Sequence, residues 1–255
     1  MPPFASYPSL SGRTVFVSGG GSGIGASIVE HFAAQGARVG FVDIDEGSST
    51  ALVESIQAAG HPAPLFVPCD IRDVAAYQSA IEGVAAKLGT ITVLVNNAAR
   101  DDRHTIDQVT PDFWDERIAV NLRHAYFAIQ TVAPGMRKAG GGSVVNFSSV
   151  SYHTMTPNLS VYQAAKAAVI GMTRGLARDL GGDGIRLNAV TPGWIMTQRQ
   201  LDLWVTPEAK AAQLKAQCLK ELLYAPDIAR MVLWLASDDS RLVTAQNFVV
   251  DGGRV

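Results

Sequence analysis

Two side chains at helical spacing carry the clearest chemistry in this chain of 255 residues. Tyr162 and Lys166 stand four residues apart in the segment Tyr-Gln-Ala-Ala-Lys, so a helix presents both of them to one ligand. A tyrosine hydroxyl titrates near pH ~10, and an ammonium group beside it favours the phenolate. The pair therefore predicts a general base, although the same spacing also suits an ordinary pair on a helix surface.

Other polar residues lie at or near the ends of predicted strands. Ser148-Ser149 ends the fifth predicted strand, Asn96-Asn-Ala-Ala99 ends the fourth, and Asn121 lies in a predicted helix. Ligands of parallel sheets bind beyond the carboxyl ends of the strands. These neighbours favour a catalytic role for Tyr162 and Lys166 over a surface pair.

A glycine-rich segment predicts a binding site for a pyrophosphate. The predicted strand Thr14–Val17 is followed by Ser18-Gly-Gly-Gly-Ser-Gly-Ile-Gly25 and then by a helix. Glycines at such a turn let backbone N–H groups and the positive end of the helix dipole approach phosphate oxygens closely. A merely flexible turn is the alternative. The residues expected to contact a dinucleotide here are Gly19, Ser22, Gly23, Ile24 and Gly25.

Two carboxylates, at the ends of the next two predicted strands, are candidates to bind the adenosine half of the dinucleotide. Asp43 follows the glycines by about 20 residues, a spacing that suits hydrogen bonds to both ribose hydroxyls of NAD. It would repel a 2′-phosphate, and the glycine segment contains no Arg or Lys, so we expect NAD rather than NADP. A solvated strand end is the alternative for Asp43. Asp70 suits either the adenine amino group or the N-cap of the next helix, and the neighbouring Ile44 and Ile71 are further cofactor candidates.

Short β-branched runs alternate with longer amphipathic segments from Arg13 onward, which predicts βαβ units. Strands are expected at Thr14–Val17, Arg38–Val42, Leu65–Pro68, Ile91–Val95, Ser143–Phe147, Ile185–Val190 and Asn247–Val250. Helices are expected at Gly23–Ala34, Gly47–Ala59, Val74–Leu88, Pro111–Met136, Ser160–Leu180 and Asp227–Ala236. The predicted fold class is α/β, a doubly wound (Rossmann) domain with a seven-stranded parallel sheet and helices on both faces.

No linker interrupts this rhythm, so residues 1–255 are expected to form a single dinucleotide-binding and catalytic domain. The pattern breaks only between residues 194 and 226, a segment too long for an ordinary connection between helix and strand. We interpret it as an inserted substrate loop, because such insertions usually serve as lids or binding loops.

Composition argues against several classes of function. With 21 Lys+Arg against 23 Asp+Glu, the formal charge of −2 gives little reason to expect nucleic acid or an anionic membrane as a partner. Residues 1–12 do not resemble a signal peptide and no run approaches the ~18 apolar residues of a membrane span, so a cytoplasmic location is expected. Cys69 and Cys218 are expected to be free thiols, and the five histidines show no metal-ligand spacing.

Taken together, the motifs resemble the classical short-chain dehydrogenase/reductase family from about Leu10 to Gly253. The matching segments are Ser18-Gly-x-x-x-Gly-Ile-Gly25, Asn96-Asn-Ala-Ala99, Asn121, Ser149, Tyr162-x-x-x-Lys166 and Pro192-Gly-Trp-Ile-Met-Thr197. Ser18, Ala99 and Ala165 depart from the usual Thr, Gly and Ser of that pattern, and all three are small residues.

The resemblance implies a role for each matching residue. Tyr162 would be the acid/base, Lys166 would hold the nicotinamide ribose and lower the pKa of Tyr162, Ser149 would orient the substrate oxygen, and Asn121 would support a water relay to Lys166. Further cofactor contacts are implied for Asn97, Ala98, Pro192, Gly193, Ile195 and Thr197. A homo-oligomer, commonly a tetramer, is also implied.

Polar segments around these motifs resemble the aldose 1-dehydrogenases of the family, of the D-xylose type. The segments are Arg100-Asp-Asp-Arg-His104, Trp114-Asp-Glu-Arg117, Val120-Asn-Leu-Arg-His124 and Thr197-Gln-Arg-Gln200. This resemblance implies oxidation of a cyclic pentose or hexose at C1 to the lactone. The candidate substrate residues are Arg103, His104, Ser149, His153, Trp194, Gln198 and Arg199, with Trp204 as a further residue closing over the sugar. For the loop residues, simple exposure to solvent or packing of the lid is the alternative.

Two other functions fit parts of the sequence. A dehydrogenase or reductase of another secondary alcohol or ketone, of the 3-oxoacyl or steroid type, would need a more apolar substrate loop than this mixed one. A dinucleotide-binding sensor without catalysis would not need the intact Ser149, Tyr162 and Lys166.

Overall fold

The computed structural model describes residues 5–255, and its centre is a sheet of seven strands. The strands are β1 (Thr14–Ser18), β2 (Arg38–Asp43), β3 (Leu65–Pro68), β4 (Ile91–Asn96), β5 (Gly142–Phe147), β6 (Ile185–Pro192) and β7 (Asn247–Val250). All neighbours are parallel, in the order β3-β2-β1-β4-β5-β6-β7. The predicted seven-stranded parallel sheet is confirmed, and each predicted strand lies within two residues of its observed bounds.

The order of the strands creates the place for a ligand. From β1 the chain builds outward through β2 to β3, then returns to the centre, where β4 pairs with the other side of β1. The connections after β1 and β4 therefore leave the sheet in opposite directions, and a crevice opens between them at the carboxyl ends of the strands.

Helices cover both faces of the sheet. They are α1 (Gly23–Ala34), α2 (Glu46–Ala58), α3 (Val74–Leu88), α4 (Pro111–Ile118), α5 (His124–Lys138), α6 (Ser160–Leu180), α7 (Gln198–Leu203), α8 (Pro207–Ala216) and α9 (Ala225–Ala236). Buried residues of α1 and α9 form one apolar core with the sheet, and those of α3, α5 and α6 form another on the opposite face. Strands between two such layers must be apolar on both faces, which explains the continuous Val/Ile/Phe runs of β1 and β4.

The single helix predicted over Pro111–Met136 is wrong in one respect. It consists of α4, a π-helical turn at Ala119–Arg123, and α5. The turn contains Asn121, whose side-chain amide donates to the carbonyl oxygens of Arg117, 3.0 Å away, and of Arg100 in another loop. A π turn adds one residue to the helical repeat and commonly marks a functional position.

The segment between residues 194 and 226 leaves the sheet and contains two short helices, α7 and α8, that the sequence patterns did not predict. No residue within either helix is buried. The segment is anchored at its base, where Ile195 forms an isolated parallel bridge with Leu223 and is itself buried. It is therefore an exposed excursion with buried attachment points, of which this bridge is one.

Other sequence expectations concern the ends of the chain and its special residues. Residues 1–4, part of the segment in which no signal peptide is expected, lie outside the described residues. Cys69 and Cys218 are both free, as predicted. Among residues 5–255, no helix is both long and apolar enough to cross a membrane, and no cluster of metal-ligand side chains occurs.

The N-cap of α3 is Asp73, so the alternative that gave this role to Asp70 is wrong. The Asp73 carboxylate accepts from the backbone N–H of Ala76 at 3.0 Å. Asp70 lies three residues earlier, where its carboxylate accepts from the backbone N–H and the guanidinium of Arg72. Helix α3 is thus capped without using Asp70.

Substitution of Asp73 tests the cap directly. Asp73→Ala leaves the N–H of Ala76 without its partner, so we expect a loss of about 1 kcal/mol in the free energy of unfolding. Asp73→Asn keeps an acceptor of the same shape and should stay close to wild type. Urea unfolding of the three proteins at unchanged m-value measures both differences. Equal stability of the Ala and Asn variants would contradict the assignment of the cap.

Candidate active site

A cleft of about 800 Å³ opens at the carboxyl ends of the strands. Every residue predicted to contact the cofactor lines it: Gly19, Ser22, Gly23, Ile24, Gly25, Asp43, Ile44, Asp70, Ile71, Asn97, Ala98, Tyr162, Lys166, Pro192, Gly193, Ile195 and Thr197. Ser149, Arg103, Trp194, Gln198, Arg199 and Trp204 line the same cleft. The fold thus brings the two halves of the predicted site together.

The turn between β1 and α1 is shaped by two glycines. Gly19 has φ +66°, in the left-handed region, and lies against Ala98 at the end of β4. A Cβ at Gly25 would overlap the carbonyl oxygen of Gly19, so no other residue fits there without moving the turn. The Asn97 amide donates to the carbonyls of Ser18 at 3.1 Å and Gly19 at 2.8 Å, which ties the turn to β4.

The same turn leaves the start of α1 free for an anion. Ser22 is the N-cap of α1, is exposed, and makes no capping hydrogen bond with its side chain. The first N–H groups of the helix and the Ser22 hydroxyl thus face the cleft with the positive end of the helix dipole. This arrangement fits a bound pyrophosphate.

Asp43 ends β2 beside this turn and is fixed by backbone donors. Its Oδ2 accepts from the N–H of Gly21 at 2.8 Å and its Oδ1 from the N–H of Asp45 at 3.1 Å. Each carboxylate oxygen can accept more than one bond, so acceptor capacity remains toward the cleft. The geometry fits a ribose diol and not a phosphate, because the carboxylate is negative.

Further along this edge, Arg72 bridges Asp70 and Glu116. Arg72 is 2.9 Å from Glu116 Oε1, and its guanidinium also pairs with Asp70. Hydrogen bonds from Arg72 lower the pKa of Asp70. The carboxylate of Asp70 is thus already paired, which weakens its expected contact with the adenine amino group.

Ser149, Tyr162 and Lys166 meet at the deeper end of the cleft. Tyr162 is reached from the cleft and Lys166 is buried. Burial raises the pKa of Tyr162, while a hydrogen bond with the Ser149 side chain lowers it. The expected lowering of this pKa by Lys166 is wrong for the chain alone, because desolvation outweighs every favourable neighbour.

Lys166 is held by the strand that precedes its helix. Its Nζ donates to the carbonyl oxygen of Phe147 at 2.9 Å and lies 5.7 Å from the centre of the Tyr162 ring. The hydroxyl of Ser148 donates to the carbonyl oxygen of Lys166 at 2.7 Å. Burial lowers the pKa of Lys166 to about 7. Both serines line the cleft, but the buried Ser148 hydroxyl is used to position the lysine, which leaves the Ser149 hydroxyl for a ligand.

Asn121 does not line the cleft with the other predicted catalytic residues. Its Oδ1 accepts from the N–H of Arg100 at 3.0 Å, and its Nδ2 donates to the carbonyls of Arg100 and Arg117. The side chain therefore holds the loop after β4 against the π turn. Its side-chain amide is therefore not free for the water relay that the resemblance implies.

The loop after β4 and helix α7 form a polar wall of the cleft that also contains Tyr162. Asp101 accepts from Nε2 of Gln200 at 2.9 Å, and Oε1 of Gln200 accepts from Nε1 of Trp194 at 2.8 Å. The Arg103 guanidinium lies 5.0 Å from the centre of the Trp204 ring. An aromatic face beside charged hydrogen-bonding groups suits a ligand with both C–H and O–H surfaces.

Two predicted substrate residues do not reach the cleft. His104 is buried; its Nε2 lies 3.2 Å from Oγ of Ser160, and its ring packs on Phe113. His153 is exposed, and its ring lies 4.0 Å from that of Tyr152. The polar atoms of His104 serve the scaffold and neither histidine lines the cleft, so the structure does not support their predicted contact with a substrate.

The sequence analysis missed Asp101 and Gln200 as individual site residues. Both stand in segments it singled out as polar, Arg100-Asp-Asp-Arg-His104 and Thr197-Gln-Arg-Gln200. Their separation of 99 residues hides the hydrogen bond between them. Only the placement of α7 over the loop after β4 reveals that pairing.

Replacement of Lys166 by Met should stabilise the chain in the absence of cofactor. Burial lowers the pKa of Lys166 from 10.5 to about 7, so between these values the unfolded chain binds a proton that the folded chain does not. The free energy of unfolding of the wild type therefore rises with pH across this window, and the buried ammonium is most unfavourable below about pH 7. We expect Lys166→Met to be more stable by several kcal/mol near pH ~6, with a gain that shrinks toward pH ~10.

Denaturant unfolding at several pH values measures this gain. Lys87→Met, at an exposed lysine near the end of α3, is the matched control and should show no such pH dependence. A constant difference between wild type and Lys166→Met from pH ~6 to ~10 would contradict the burial of a proton-binding amine.

Comparison with known proteins agrees with this geometry. A family model described as Enoyl-(Acyl carrier protein) reductase matches residues 19–254. The probable galactose dehydrogenase GalD of Rhizobium meliloti (strain 1021) is 51% identical over 251 residues, which cover 98% of each chain. The D-xylose 1-dehydrogenase of Caulobacter vibrioides (strain NA1000 / CB15N) is 49% identical over 250 residues, again 98% of each.

Solved structures give the same result. A short-chain type dehydrogenase/reductase from Mycobacterium ulcerans superposes with a TM-score of 0.91 at 28% identity, covering 98% of this chain and 91% of that one. A blue fluorescent protein from a metagenomic library, in complex with NADPH, superposes with a TM-score of 0.88 at 36% identity, covering 97% and 99%. By sequence and by fold, over nearly its whole length, the chain belongs to the short-chain dehydrogenase/reductase family.

Proposed function

We propose that this protein is an NAD-dependent aldose 1-dehydrogenase, which oxidises the anomeric hydroxyl of a pentose or hexose to the lactone. One observation carries the proposal: the Ser149 and Tyr162 pair shares its cleft with a glycine cradle and with a wall of charged and amide side chains. The names of the two relatives with about half of their residues identical, a galactose and a D-xylose dehydrogenase, support it.

The chain's own residues supply the proton transfer. A nicotinamide held in this cleft would supply the acceptor for the hydride from C1 of the sugar, together with a positive charge. Tyr162 takes the proton of the anomeric hydroxyl, so that the C1–O bond gains double-bond character as the C1–H electron pair leaves. Ser149 donates to the substrate oxygen and keeps it near the tyrosine hydroxyl. Lys166 would hold the ribose hydroxyls with its Nζ.

Burial makes Tyr162 responsive to its surroundings. In a desolvated site a nearby charge shifts a pKa more than it would in water. Because burial raises the pKa of Tyr162 in the chain alone, the residue keeps its proton until a cation lies beside it. Deprotonation is thereby coupled to loading of the cleft.

Asp43 carries the preference for NAD. A carboxylate fixed by Gly21 and Asp45 faces the cleft, and the glycine turn has no basic side chain to balance a 2′-phosphate. The fluorescent protein binds NADPH within a similar fold, so the fold alone does not decide between the two dinucleotides. The negative charge at the end of β2 supports the proposed preference for NAD.

Other parts of the proposal rest on the family. Residues 1–255 are proposed to act as one dinucleotide-binding and catalytic domain, supported by a sheet that draws strands from Thr14 to Val250. A homo-oligomer, a tetramer by family resemblance, and a cytoplasmic location stay predictions. The proposed partner is a small sugar.

Absorbance of reduced nicotinamide is the first measurement to make. Purified protein is mixed with NAD or NADP and with a panel of aldoses, simple secondary alcohols and 3-hydroxyacyl thioesters. Rapid reduction of NAD by one or two aldoses is the expected result. Turnover of the alcohols or thioesters alone would favour the other dehydrogenases, and binding of NAD without any turnover would favour a sensor.

Tyr162→Phe tests the acid/base. The substitution removes the hydroxyl that takes the proton but leaves the ring, so we expect kcat to fall by at least ~10²-fold with NAD affinity nearly unchanged. Tyr152→Phe is the matched control, because Tyr152 lies outside the cleft and stacks on His153. Turnover of Tyr162→Phe at the wild-type rate would contradict the mechanism.

Asp43→Asn tests the cofactor preference. The amide keeps the size of the side chain but loses its charge, so the ratio of kcat/KM for NADP to that for NAD should rise about tenfold, ~1.4 kcal/mol. Asp45→Asn is the control: Asp45 caps α2 through Ser48, a role that Asn also fills, and does not line the cleft. An unchanged ratio in Asp43→Asn would show that this carboxylate does not select the dinucleotide.

A further inference from the structure

We propose that Asp101 is a specificity-determining residue of this site, whose carboxylate accepts a hydrogen bond from a ring hydroxyl of the sugar other than the one that reacts. The inference rests on the proposed aldose dehydrogenase function and adds the group that distinguishes sugars by the positions of their hydroxyls.

Asp101 lies where such a contact is needed. It follows β4 by five residues and lines the cleft together with Tyr162. Its side chain is 21% exposed, so the carboxylate is largely withdrawn from bulk water but still faces the cleft. A hydrogen bond to a charged group in such a place discriminates strongly, because an analogue that lacks the hydroxyl leaves the carboxylate without its partner.

The carboxylate is oriented by the lid. Oδ2 accepts from Nε2 of Gln200 at 2.9 Å, and the other end of that amide is fixed by Nε1 of Trp194 at 2.8 Å. Nε of Arg199 is 3.6 Å from Oδ1, an ion-pair contact. A carboxylate has about four acceptor positions, so these partners hold Asp101 in place and leave capacity for a ligand.

Its neighbour Asp102 is occupied in a different way. The Asp102 carboxylate pairs with buried Arg117 and with Arg100. It also pairs with Arg199, whose Nη2 is 3.1 Å from Oδ1 of Asp102. Three guanidinium groups use most of its acceptor positions. Of the two adjacent carboxylates, Asp101 is thus the one that retains capacity toward a sugar.

A second polar atom in the same wall lacks a partner. Nε of Arg103 is buried and makes no hydrogen bond, while its guanidinium lies over the ring of Trp204. A sugar hydroxyl donates one hydrogen bond and accepts others, so a ring between Asp101 and Arg103 can satisfy both side chains. Trp204 is 39% exposed, so the part of its indole that Arg103 does not cover can contact the C–H surface of such a ring.

Both charges act on the catalytic tyrosine. The carboxylate of Asp101 raises the pKa of Tyr162, and the guanidinium of Arg103 lowers it. Because Asp101 and Tyr162 also line the same cleft, a ligand that reacts at Tyr162 has access to Asp101. The other groups facing Tyr162 are the hydroxyl of Ser149 and the Nζ of Lys166.

The test uses the aldose that the wild-type enzyme prefers and each of its monodeoxy analogues. We expect the wild type to disfavour the analogue that lacks this hydroxyl by about 10- to 100-fold in kcat/KM, and Asp101→Ala to lose most of that discrimination by slowing on every sugar that keeps the hydroxyl. Asp101→Asn keeps the bond to Gln200, so its discrimination should lie between that of the wild type and that of Asp101→Ala. Asp107→Asn, at an exposed carboxylate on the same connection that does not line the cleft, is the control.

A second readout distinguishes recognition from a loss of structure. Removal of the negative charge in Asp101→Asn lowers the pKa of Tyr162, so the acid limb of the pH profile of kcat/KM should move to lower pH. Arg103→Gln should move it to higher pH, because that substitution removes a cation. A merely structural role would change rate and stability, but it would not shift the acid limb in opposite directions in the two variants.

The outcomes separate this inference from the proposed function. If the wild type oxidises aldoses but Asp101→Ala retains the same penalty for every deoxy analogue, Asp101 does not read the sugar and the dehydrogenase proposal stands. A uniform loss on all sugars would likewise overturn the inference. If the wild type oxidises no aldose, the proposed function itself fails, and the inference fails with it.

Discussion

The close approach of the turn after β1 to the end of β4 is the constraint on which the rest of the site depends. Gly19 lies against Ala98, and Gly25 leaves no room for a Cβ next to the Gly19 carbonyl. The Asn97 amide closes this contact with two hydrogen bonds to the turn. As a result the anion-binding end of α1 and the loop after β4, which carries the polar wall, are parts of one rigid frame.

That frame extends through the end of β5 to helix α6, which carries the residues that we propose for proton transfer. Phe147 accepts from Nζ of Lys166, and Ser148 donates to the Lys166 carbonyl, so helix and strand are locked at the position of the side chain. Burial raises the pKa of Tyr162 and lowers that of Lys166 to about 7. The ionised forms of both residues are therefore disfavoured in the chain alone. Burial of these two groups costs stability, and it makes their pKa values sensitive to the charge of a bound ligand.

The sequence specified the sheet and the cradle because their signals are local. Apolar runs of strand length, a glycine turn between strand and helix, and the Tyr-x-x-x-Lys spacing each lie within a few adjacent residues, and the structure brings all of these segments to one cleft. The patterns failed where tertiary contacts decide. The π turn depends on a bond from Asn121 to a distant loop, and His104 is drawn into the scaffold by Ser160 and Phe113. The bond between Asp101 and Gln200 spans 99 residues and leaves no local pattern.

The inserted segment shows why the substrate side of the cleft was the part least predictable from the sequence. Helix α7 buries no side chain and is held over the loop after β4 by polar contacts, chiefly from Arg199 and Gln200 to the two aspartates. Such contacts at a partly exposed site contribute little net stability, so the helix can separate from the loop at small cost. The same contacts set the orientation of Asp101. Any movement of the segment would therefore also change the position of the carboxylate that we propose to bind the sugar.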